Sequence, residues 1–296
     1  MKSRMLLSIV SALAVLMFAA VAQAKTISIP PLPDFPTPAW TAGSSVTYSV
    51  KLDQGEDSIR FNFRIAVLGT ERETATNKTL YWVEMDLTQI SGIPADEQDF
   101  FMQNYGELPT AIRTNMLIPQ YDLSLFLTDP SKVYSDFTGQ GFLRKLYFQY
   151  NRQTPFDVDI PLVTAFIMPI MAGMMLDGDL PEDFNQSRNL GIRMMESPEE
   201  FDTENSTSQT TTGAGAFPGR LFAFTSRGDG ASGSTFYTDQ TPILPLVTYS
   251  GNWVRNEKPG TIELELTSIE TSGTATQIVG TPVPFNFQTM MTYPNG

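Results

Sequence analysis

The side chains best suited to catalysis in this sequence are carboxylates that lie two positions apart. Glu84 and Asp86 occupy a segment in which apolar and polar residues alternate, and Glu263 and Glu265 occupy another. In a β-strand such pairs project from one face, roughly 6.5–7 Å apart along the chain. Glycoside hydrolysis needs two carboxyl groups about 5–9.5 Å apart, so the spacing permits this chemistry. Such pairs are also common on the solvent face of an acidic sheet, and we expect that ordinary role here.

Other kinds of catalytic or metal site find little support in the residue types. Asp177–Asp183 holds four carboxylates within seven residues, but it lacks the EF-hand order of ligands and glycine, so we expect a solvated acidic turn. The chain has no His and no Cys, which excludes ordinary zinc sites as well as Ser-His-Asp and Cys-His catalysis. No Ser-x-x-Lys motif is present either. We therefore predict no catalytic residues, no metal and no cofactor, and a protein that is not an enzyme.

The N-terminus has the pattern of a secretory signal peptide. Lys2 and Arg4 precede an uncharged, mostly apolar run that leads to Ala22-Gln23-Ala24. A basic start, an apolar middle and small residues on both sides of one variable position are the three parts of such a signal. We predict cleavage near Ala24, a periplasmic or secreted location, and a mature protein that is not an integral membrane protein.

The charge balance argues against nucleic acid as a partner. The chain has 19 Lys and Arg residues against 32 Asp and Glu, a net charge of −13, and loss of Lys2 and Arg4 would make it −15. Phosphate backbones would repel such a protein. Because there are no disulfides, stability must come from a buried core, which a chain of about 270 residues can build.

Most of the chain after a Pro-rich leader shows the period-two alternation of β-strands. Val46, Tyr48, Val50 and Leu52 share one face, and a similar run from Ile59 to Val67 follows a polar turn, which predicts an antiparallel hairpin. We predict further strands at Leu80–Leu87, Leu146–Tyr150, Leu221–Thr225, Ser234–Tyr237, Leu244–Val254, Ile262–Leu266 and Val283–Phe287.

Three other features complete the predicted organisation. A short helix is expected around Asp96–Asn104, and the Ser- and Thr-rich stretch Thr203–Gly215 is expected to be a mobile loop. No internal repeat is evident. We therefore predict a signal peptide at 1–24, a Pro-rich leader at 25–43 and a single β-rich domain at 44–296.

One apolar segment does not follow the strand pattern. Ile160–Leu176 is 17 residues long, carries no charge, and contains Met168, Met171, Met174 and Met175. Pro161 suits a first helical turn, whereas Pro169 would kink or split a helix. One interpretation is a buried helix packed on the sheet. The other is a flexible cover over a ligand cavity, because methionine adapts its shape to varied apolar partners.

The order of elements near both ends of the β-rich region resembles a known family. Trp40-Thr41-Ala42-Gly43 leads into the hairpin. The segments that carry the rest of the likeness are Val67-Leu68-Gly69-Thr70-Glu71, Tyr81-Trp82-Val83-Glu84-Met85, Trp253-Val254, Gly260-Thr261-Ile262-Glu263-Leu264 and Ala275–Pro282. Together, residues 45–90 and 244–285 resemble exported bacterial proteins with a curved half-barrel sheet similar to the lipoprotein-localisation factors of the LolA/LolB type.

That resemblance implies a sheet wrapped around a helix-covered apolar cavity that holds acyl chains during transport through the periplasm. Ile160–Leu176 would then be the cover. The chain departs from the family in its greater length and in the loop at 203–216, and none of its arginines matches the carriers' functional positions.

We therefore expect an α+β, β-dominated fold, with a single curved antiparallel sheet (a half-barrel) under a Met-rich helical cover. The expected function is non-enzymatic binding or carriage of an apolar ligand, which would be a lipid or the acyl chain of a lipidated protein. The predicted cavity-lining residues are Phe61, Phe63, Met168, Met171, Met174 and Met175.

Two alternatives remain open at this point. One is a structural or interaction protein that meets another envelope protein through a sheet edge or an exposed aromatic patch. The other is a carbohydrate-active enzyme, which would need Glu84 and Asp86 at the floor of a cleft.

Overall fold

The computed structural model describes residues 38–54, 57–122, 142–160, 201–227, 231–255 and 258–285. Within these ranges twelve strands form one curved sheet that does not close on itself. The strands are β1 (Ser44–Gln54), β2 (Asp57–Glu73), β3 (Lys78–Ser91), β4 (Ala111–Pro119), β5 (Lys145–Tyr150), β6 (Phe156–Val158), β7 (Phe201–Thr212), β8 (Gly215–Ser226), β9 (Ser232–Tyr237), β10 (Leu246–Arg255), β11 (Lys258–Glu270) and β12 (Val283–Phe285). The prediction of a strand-dominated, curved sheet is confirmed.

Several predictions fall outside the described residues. The signal peptide, most of the Pro-rich leader, the acidic cluster Asp177–Asp183 and all of Ile160–Leu176 after its first residue lie there. The helical cover therefore stays a prediction. The short helix predicted near Asp96 is present as α1 (Ala95–Tyr105). None of the described helical segments has the length and hydropathy that a bilayer-spanning helix needs.

The strand order is β12-β6-β5-β4-β3-β2-β1-β11-β10-β9-β8-β7. All neighbouring strands pair antiparallel except β12 and β6, which run parallel. The prediction of a purely antiparallel sheet is therefore wrong at this edge. The reason is that β12 is reached by a long crossing of the sheet, and parallel neighbours need such a crossing where antiparallel ones need only a hairpin.

The alternating residues of the predicted hairpin define an apolar face of the sheet. In the register of β1 and β2, Val50 lies opposite Phe61 and Tyr48 lies opposite Phe63. The same face continues through β3, β4, β5 and β11 with large apolar side chains, and Thr114 is the polar residue among them. Those that are fully or almost fully buried include Val46, Tyr48, Ile65, Val67, Val83, Met85, Ile112, Met116, Ile118, Leu146, Phe148 and Leu266.

The stretch predicted as a mobile loop is instead a regular hairpin of β7 and β8. Its register runs without interruption from Phe201 opposite Ser226 to Thr212 opposite Gly215. The polar composition indicates a strand at the edge of the sheet, where few side chains are buried, and the many threonines favour an extended backbone. At the hairpin tip the Gly213 N–H donates to Glu265 Oε1 on β11 (3.1 Å), so the curved sheet brings its far edge back to β11.

Residues 271–282, which we call the strap, connect β11 to β12 without regular secondary structure. Because β11 lies next to β1 and β12 lies next to β6, the strap must cross the strands between them. Its first contact is the Thr274 N–H, which donates to the Gly43 carbonyl just before β1 (3.0 Å). At its far end the Val283 N–H donates to the Pro155 carbonyl (2.9 Å). The strap therefore covers the face of the sheet opposite the apolar one, which we call the polar face.

Candidate functional site

A charged cluster of Arg64, Glu84 and Asp86 lies on the polar face beneath the strap. These residues are brought together by the register of β2 and β3, in which Arg64 is opposite Asp86. Arg64 Nη1 donates to Glu84 Oε1 (3.0 Å) and to Asp86 Oδ2 (2.5 Å). The side chains of Glu84 and Asp86 are 0% and 1% exposed. The expectation that they lie on a solvated face is wrong, because the strap covers that part of the sheet.

The cluster also fastens the strap to the sheet. Arg64 Nη2 donates to the Ala275 carbonyl (3.1 Å), and the Gln277 N–H donates to Glu84 Oε1 (2.8 Å). The Thr276 hydroxyl donates to the other oxygen of Glu84. Arg64 and Glu84 thus each bind a backbone group of the strap as well as each other. The strap is therefore held by charge-assisted hydrogen bonds, which are stronger than neutral ones.

A second attachment lies farther along the strap, at Gln149 of β5. Gln149 Nε2 donates to the Val279 carbonyl (2.7 Å), and the Val279 N–H donates to Gln149 Oε1 (3.1 Å). Gln149 Nε2 also donates to the Gln153 carbonyl (2.8 Å). The buried amide therefore pairs with the strap as a neighbouring strand would, satisfying both backbone groups of one residue.

The electrostatics of the cluster are unbalanced, because one guanidinium serves two carboxylates. Burial, followed by the charge of Glu84, raises the pKa of Asp86 to about 7, although Arg64 and Arg113 act in the opposite direction. Burial alone would lower the pKa of Arg64, but Asp86 and Glu84 outweigh it and raise that pKa. Within the part of the chain that the structure describes, Asp86 Oδ1 has no hydrogen-bond partner. Asp86 therefore changes its protonation state near neutral pH.

The position of these carboxylates bears on the catalytic alternative. That hypothesis requires Glu84 and Asp86 at the floor of an accessible cleft, whereas both lie under the strap and are bound to Arg64. In the other predicted pair, Glu263 and Glu265, the carboxylate of Glu265 accepts a hydrogen bond from the Gly213 N–H at the β7–β8 tip. Among the described residues, no group of three or more His, Cys, Asp or Glu is arranged to hold a metal ion.

An open groove of about 310 Å³ runs beside the strap on the polar face, and we call it the strap groove. It is lined by Leu68, Gly69, Trp82, Asn115, Tyr147, Thr274, Ala275 and Thr276. The rings of Trp82 and Tyr147 stack with centroids 5.4 Å apart and an angle of 15° between their planes. These rings come from the sheet and the threonines come from the strap, so the groove exists only because the strap crosses here.

The predicted cavity residues lie on the other side of the sheet. Phe61 is buried in the apolar core (6% exposed), and Phe63 is partly buried at its margin. The four methionines predicted with them, Met168, Met171, Met174 and Met175, lie outside the described residues. The role of all six as cavity lining stays a prediction.

Sequence reasoning missed Arg64, Gln149, Asn115 and the strap. Arg64 and Gln149 stand at polar positions of alternating strands, where a solvated side chain is the ordinary expectation. A signal that could have been used is the composition of the strap, which has ten residues between Ser272 and Thr281 with no charged side chain. Uncharged stretches of at least this length also occur at 205–219 and 240–254, so this signal alone does not identify the strap.

Protein-family models and curated proteins give no match to this sequence. Solved structures give matches at low similarity. A Parabacteroides distasonis chain described as a candidate lipoprotein is 12% identical, with 80% of this chain and 100% of that chain covered and a TM-score of 0.27. A Bacteroides fragilis chain described as a candidate exported protein with a YmcC-like fold is 10% identical, with 79% and 98% covered and a TM-score of 0.24.

A third match is a candidate outer membrane lipoprotein-sorting protein domain from Vibrio parahaemolyticus. It is 8% identical, with 87% of this chain and 93% of that chain covered and a TM-score of 0.27. The predicted resemblance to exported, lipoprotein-sorting proteins is confirmed to the extent that these are the structural neighbours found. TM-scores this far below 0.5 identify neither a function nor a ligand for this chain. The chains to which it is similar are described as exported or lipoprotein-type proteins.

Proposed function

We propose that this is an exported, non-enzymatic protein of the bacterial envelope that binds or carries an apolar ligand, either a lipid or the acyl chain of a lipidated protein. The observation that supports this most directly is the apolar face of the curved sheet. It runs across six neighbouring strands, from β11 through β1, β2, β3 and β4 to β5. Most side chains of this face are already buried as core, so an apolar ligand would bind where they stay partly exposed. Burial of that remaining apolar area from water is favourable and needs no directional partners.

The margin of this face adds support. Large apolar side chains along it are only partly buried, namely Ile59, Phe63, Tyr81, Leu264 and Ile269. Two of them lie on β2, one on β3 and two on β11, and the β1 side chains between β2 and β11 are buried. These partly buried side chains are the places at which an apolar ligand could reach the face.

The polar face supports the non-enzymatic part of the proposal. Its candidate acid–base groups, Glu84 and Asp86, are bound to Arg64 and hold the strap, which is a structural use. A general acid or base must reach the proton that it transfers within hydrogen-bond distance, either directly or through one water molecule. Carboxylates sealed between strap and sheet do not meet that condition.

The test is native mass spectrometry of the protein purified from the periplasm, followed by organic extraction and by titration of the delipidated protein with a fatty acid. We expect a co-purifying lipid and saturable uptake of the fatty acid. Phe63→Asp places a charge at the margin of the apolar face and should abolish both. Asn62→Asp is the matched control, because it adds the same charge to the same strand on the polar face.

An apo mass from the periplasm with no fatty-acid uptake would contradict the proposal. A concentration-dependent complex with another envelope protein in the same sample would then favour the interaction role. Met171→Glu combined with Met174→Glu tests the predicted cover separately, with circular dichroism to show that the fold survives.

A further inference from the structure

We propose that the strap groove is a second binding site, independent of the apolar face, and that it takes a neutral sugar ring of a glycan. The groove has fixed walls. On one side, Trp82 is held by its Nε1–H, which donates to Glu71 (2.8 Å), and by its stacking on Tyr147. On the other side, the strap is held by Arg64 and Glu84. A site with both walls fixed before binding loses little freedom when a ligand enters.

The flank of the Trp82 ring that faces β2 is open. Gly69 lies opposite Trp82 in the register of β2 and β3, and a Cβ placed on Gly69 would meet no atom within 4 Å. A register shift between Val67 and Gly69 marks a β-bulge here, which is a common means of opening the surface of a sheet beside a site. The absence of a side chain at Gly69 therefore leaves an aromatic surface available to a ligand.

The groove also contains a buried hydrogen-bond acceptor without a partner. Asn115 is only 8% exposed, and its Oδ1 accepts no hydrogen bond from any described residue. It lies between Glu84 on β3 and Tyr147 on β5 in the register of the sheet, and it lines the groove. Buried polar atoms are nearly always paired, but this oxygen has almost no accessible surface. A ligand O–H or N–H donor would therefore pair with it only after the Asn115 amide turns towards the groove.

The charges around the groove favour a neutral ligand. Arg64 is already paired with two carboxylates, and Glu71 accepts the Trp82 N–H. Lys145 Nζ lies 5.6 Å from the centre of the Trp82 ring and would oppose a cation, whereas the net charge of −13 opposes an anion. None of the residues that line the groove is charged, so an ionic ligand would find no opposite charge among them.

A sugar ring combines the two properties that the groove requires. Its C–H face packs on the flat surface of an aromatic ring, and one of its hydroxyls can donate to Asn115 Oδ1 once that amide turns towards the groove. The groove is open along its length, so one ring of a longer chain can occupy it without the chain having to end there. An extended neutral peptide is the competing ligand, and it is separated from the sugar by experiment.

The experiment is isothermal titration of the full mature protein with three neutral hexasaccharides: maltohexaose, cellohexaose and chitohexaose. We expect saturable binding of at least one. Gly69→Val fills the open space beside Trp82 with a residue that favours strands, at a glycine whose φ is not positive, and it should weaken that binding at least tenfold. Thr70→Val is the matched control on the next residue, whose side chain lies on the other face, and it should bind as the wild type does.

Asn115→Leu provides a second variant, in which a loss of sugar binding cannot be explained by a loss of stability. Removal of an unpaired buried carbonyl should leave the melting temperature unchanged or raise it, whereas sugar binding should be lost. Retained binding in both Gly69→Val and Asn115→Leu would overturn the site assignment. The same would follow if the wild type bound none of the hexasaccharides.

Neutral hexapeptides are titrated in parallel. If the wild type binds them and not the sugars, and Gly69→Val weakens that binding, the groove is a peptide site and the sugar assignment is wrong. Fatty-acid uptake by Gly69→Val should equal that of the wild type, because the apolar face lies on the other side of the sheet. Failure of this proposal and failure of the proposed apolar-ligand function are therefore distinguishable.

Discussion

At the scale of single residues, the guanidinium of Arg64 connects two carboxylates of the polar face to the strap. It binds Glu84, Asp86 and the Ala275 carbonyl, and its side chain is only 15% exposed. The cluster places one guanidinium and two carboxylates in a largely buried position, which is costly for charged groups unless they are well paired. Its stability therefore depends on the one cation more than on either anion.

We predict that Arg64→Met destabilises the protein by about 3–5 kcal/mol, because it leaves two buried carboxylates without the cation that donates hydrogen bonds to them. Chemical denaturation followed by circular dichroism measures this free energy of unfolding. The triple variant Arg64→Met, Glu84→Gln, Asp86→Asn should recover most of the loss, since no buried charge remains. A triple variant as unstable as the single one would show that packing, and not charge, accounts for the loss.

The raised pKa of Asp86 predicts a particular pH dependence. The folded protein keeps the Asp86 proton up to a pKa of about 7, whereas the unfolded chain loses it near the ordinary value of 3.8. The folded state thus binds more protons between these values, and the stability that this gives is lost as pH rises through 7. We expect the free energy of unfolding to fall between pH 5 and pH 8 by on the order of 2 kcal/mol.

The matched variant is Asp86→Asn, measured by urea denaturation at both pH values. It should remove most of this slope, because the amide does not titrate. Carboxylates whose pKa values are lowered, such as Asp53 and Glu73, act in the opposite direction at more acidic pH and stay outside this window. A slope that is unchanged in Asp86→Asn would assign the pH dependence to another group.

At the scale of elements, the strap is held by side chains and not by a ladder of backbone hydrogen bonds. Gln149 supplies two of its hydrogen bonds from β5, and the charged cluster supplies three from β2 and β3. A segment attached at a few points can open locally without unfolding of the sheet beneath it. The two attachments should therefore be separable by mutation.

We predict that Gln149→Leu frees the far part of the strap and costs about 1–3 kcal/mol for the backbone groups left unpaired. Hydrogen exchange at residues 278–280 should become faster, while exchange in β3 and β4 stays slow. Gln153→Leu is the control, because Gln153 is exposed at the same end of the sheet. Equal exchange in the two variants would mean that Gln149 does not hold the strap.

The β7–β8 hairpin gives a second prediction at this scale. Its uninterrupted register predicts slow hydrogen exchange for the paired amides of 203–212, and slow cleavage by a glutamate-specific protease at Glu204. Fast exchange and rapid cleavage there would contradict the hairpin and would support the mobile loop that the composition favours.

At the scale of the whole molecule, the two faces of one sheet have separate roles. The apolar face continues across six strands and supports the proposed apolar ligand, whereas the polar face carries the strap and the strap groove. The strap also ties β11 to β6 through the residues between them, so the described elements share one connected structure. Substitutions on one face should accordingly leave ligand binding at the other unchanged.

The fold could be predicted from the sequence wherever the signal is local. The β1–β2 hairpin follows from residues such as Tyr48 and Phe61, because period-two alternation can be recognised within a short stretch of sequence. The helix near Asp96 and the long strand β11 were predicted for similar reasons. The hairpin at 203–215 was not, since a polar edge strand lacks the buried side chains that produce alternation.

By itself, the sequence determined the strand pattern, the acidic charge and the absence of histidine and cysteine chemistry. Only the tertiary structure decided that Glu84 and Asp86 are buried, that Arg64 pairs with both, and that Gly69 and Asn115 form part of one groove. The physical reason is distance along the chain: Glu84 accepts a hydrogen bond from Thr276, 192 residues later. Burial depends on such contacts. The sequence neighbours of Glu84 do not indicate which distant segment will cover it.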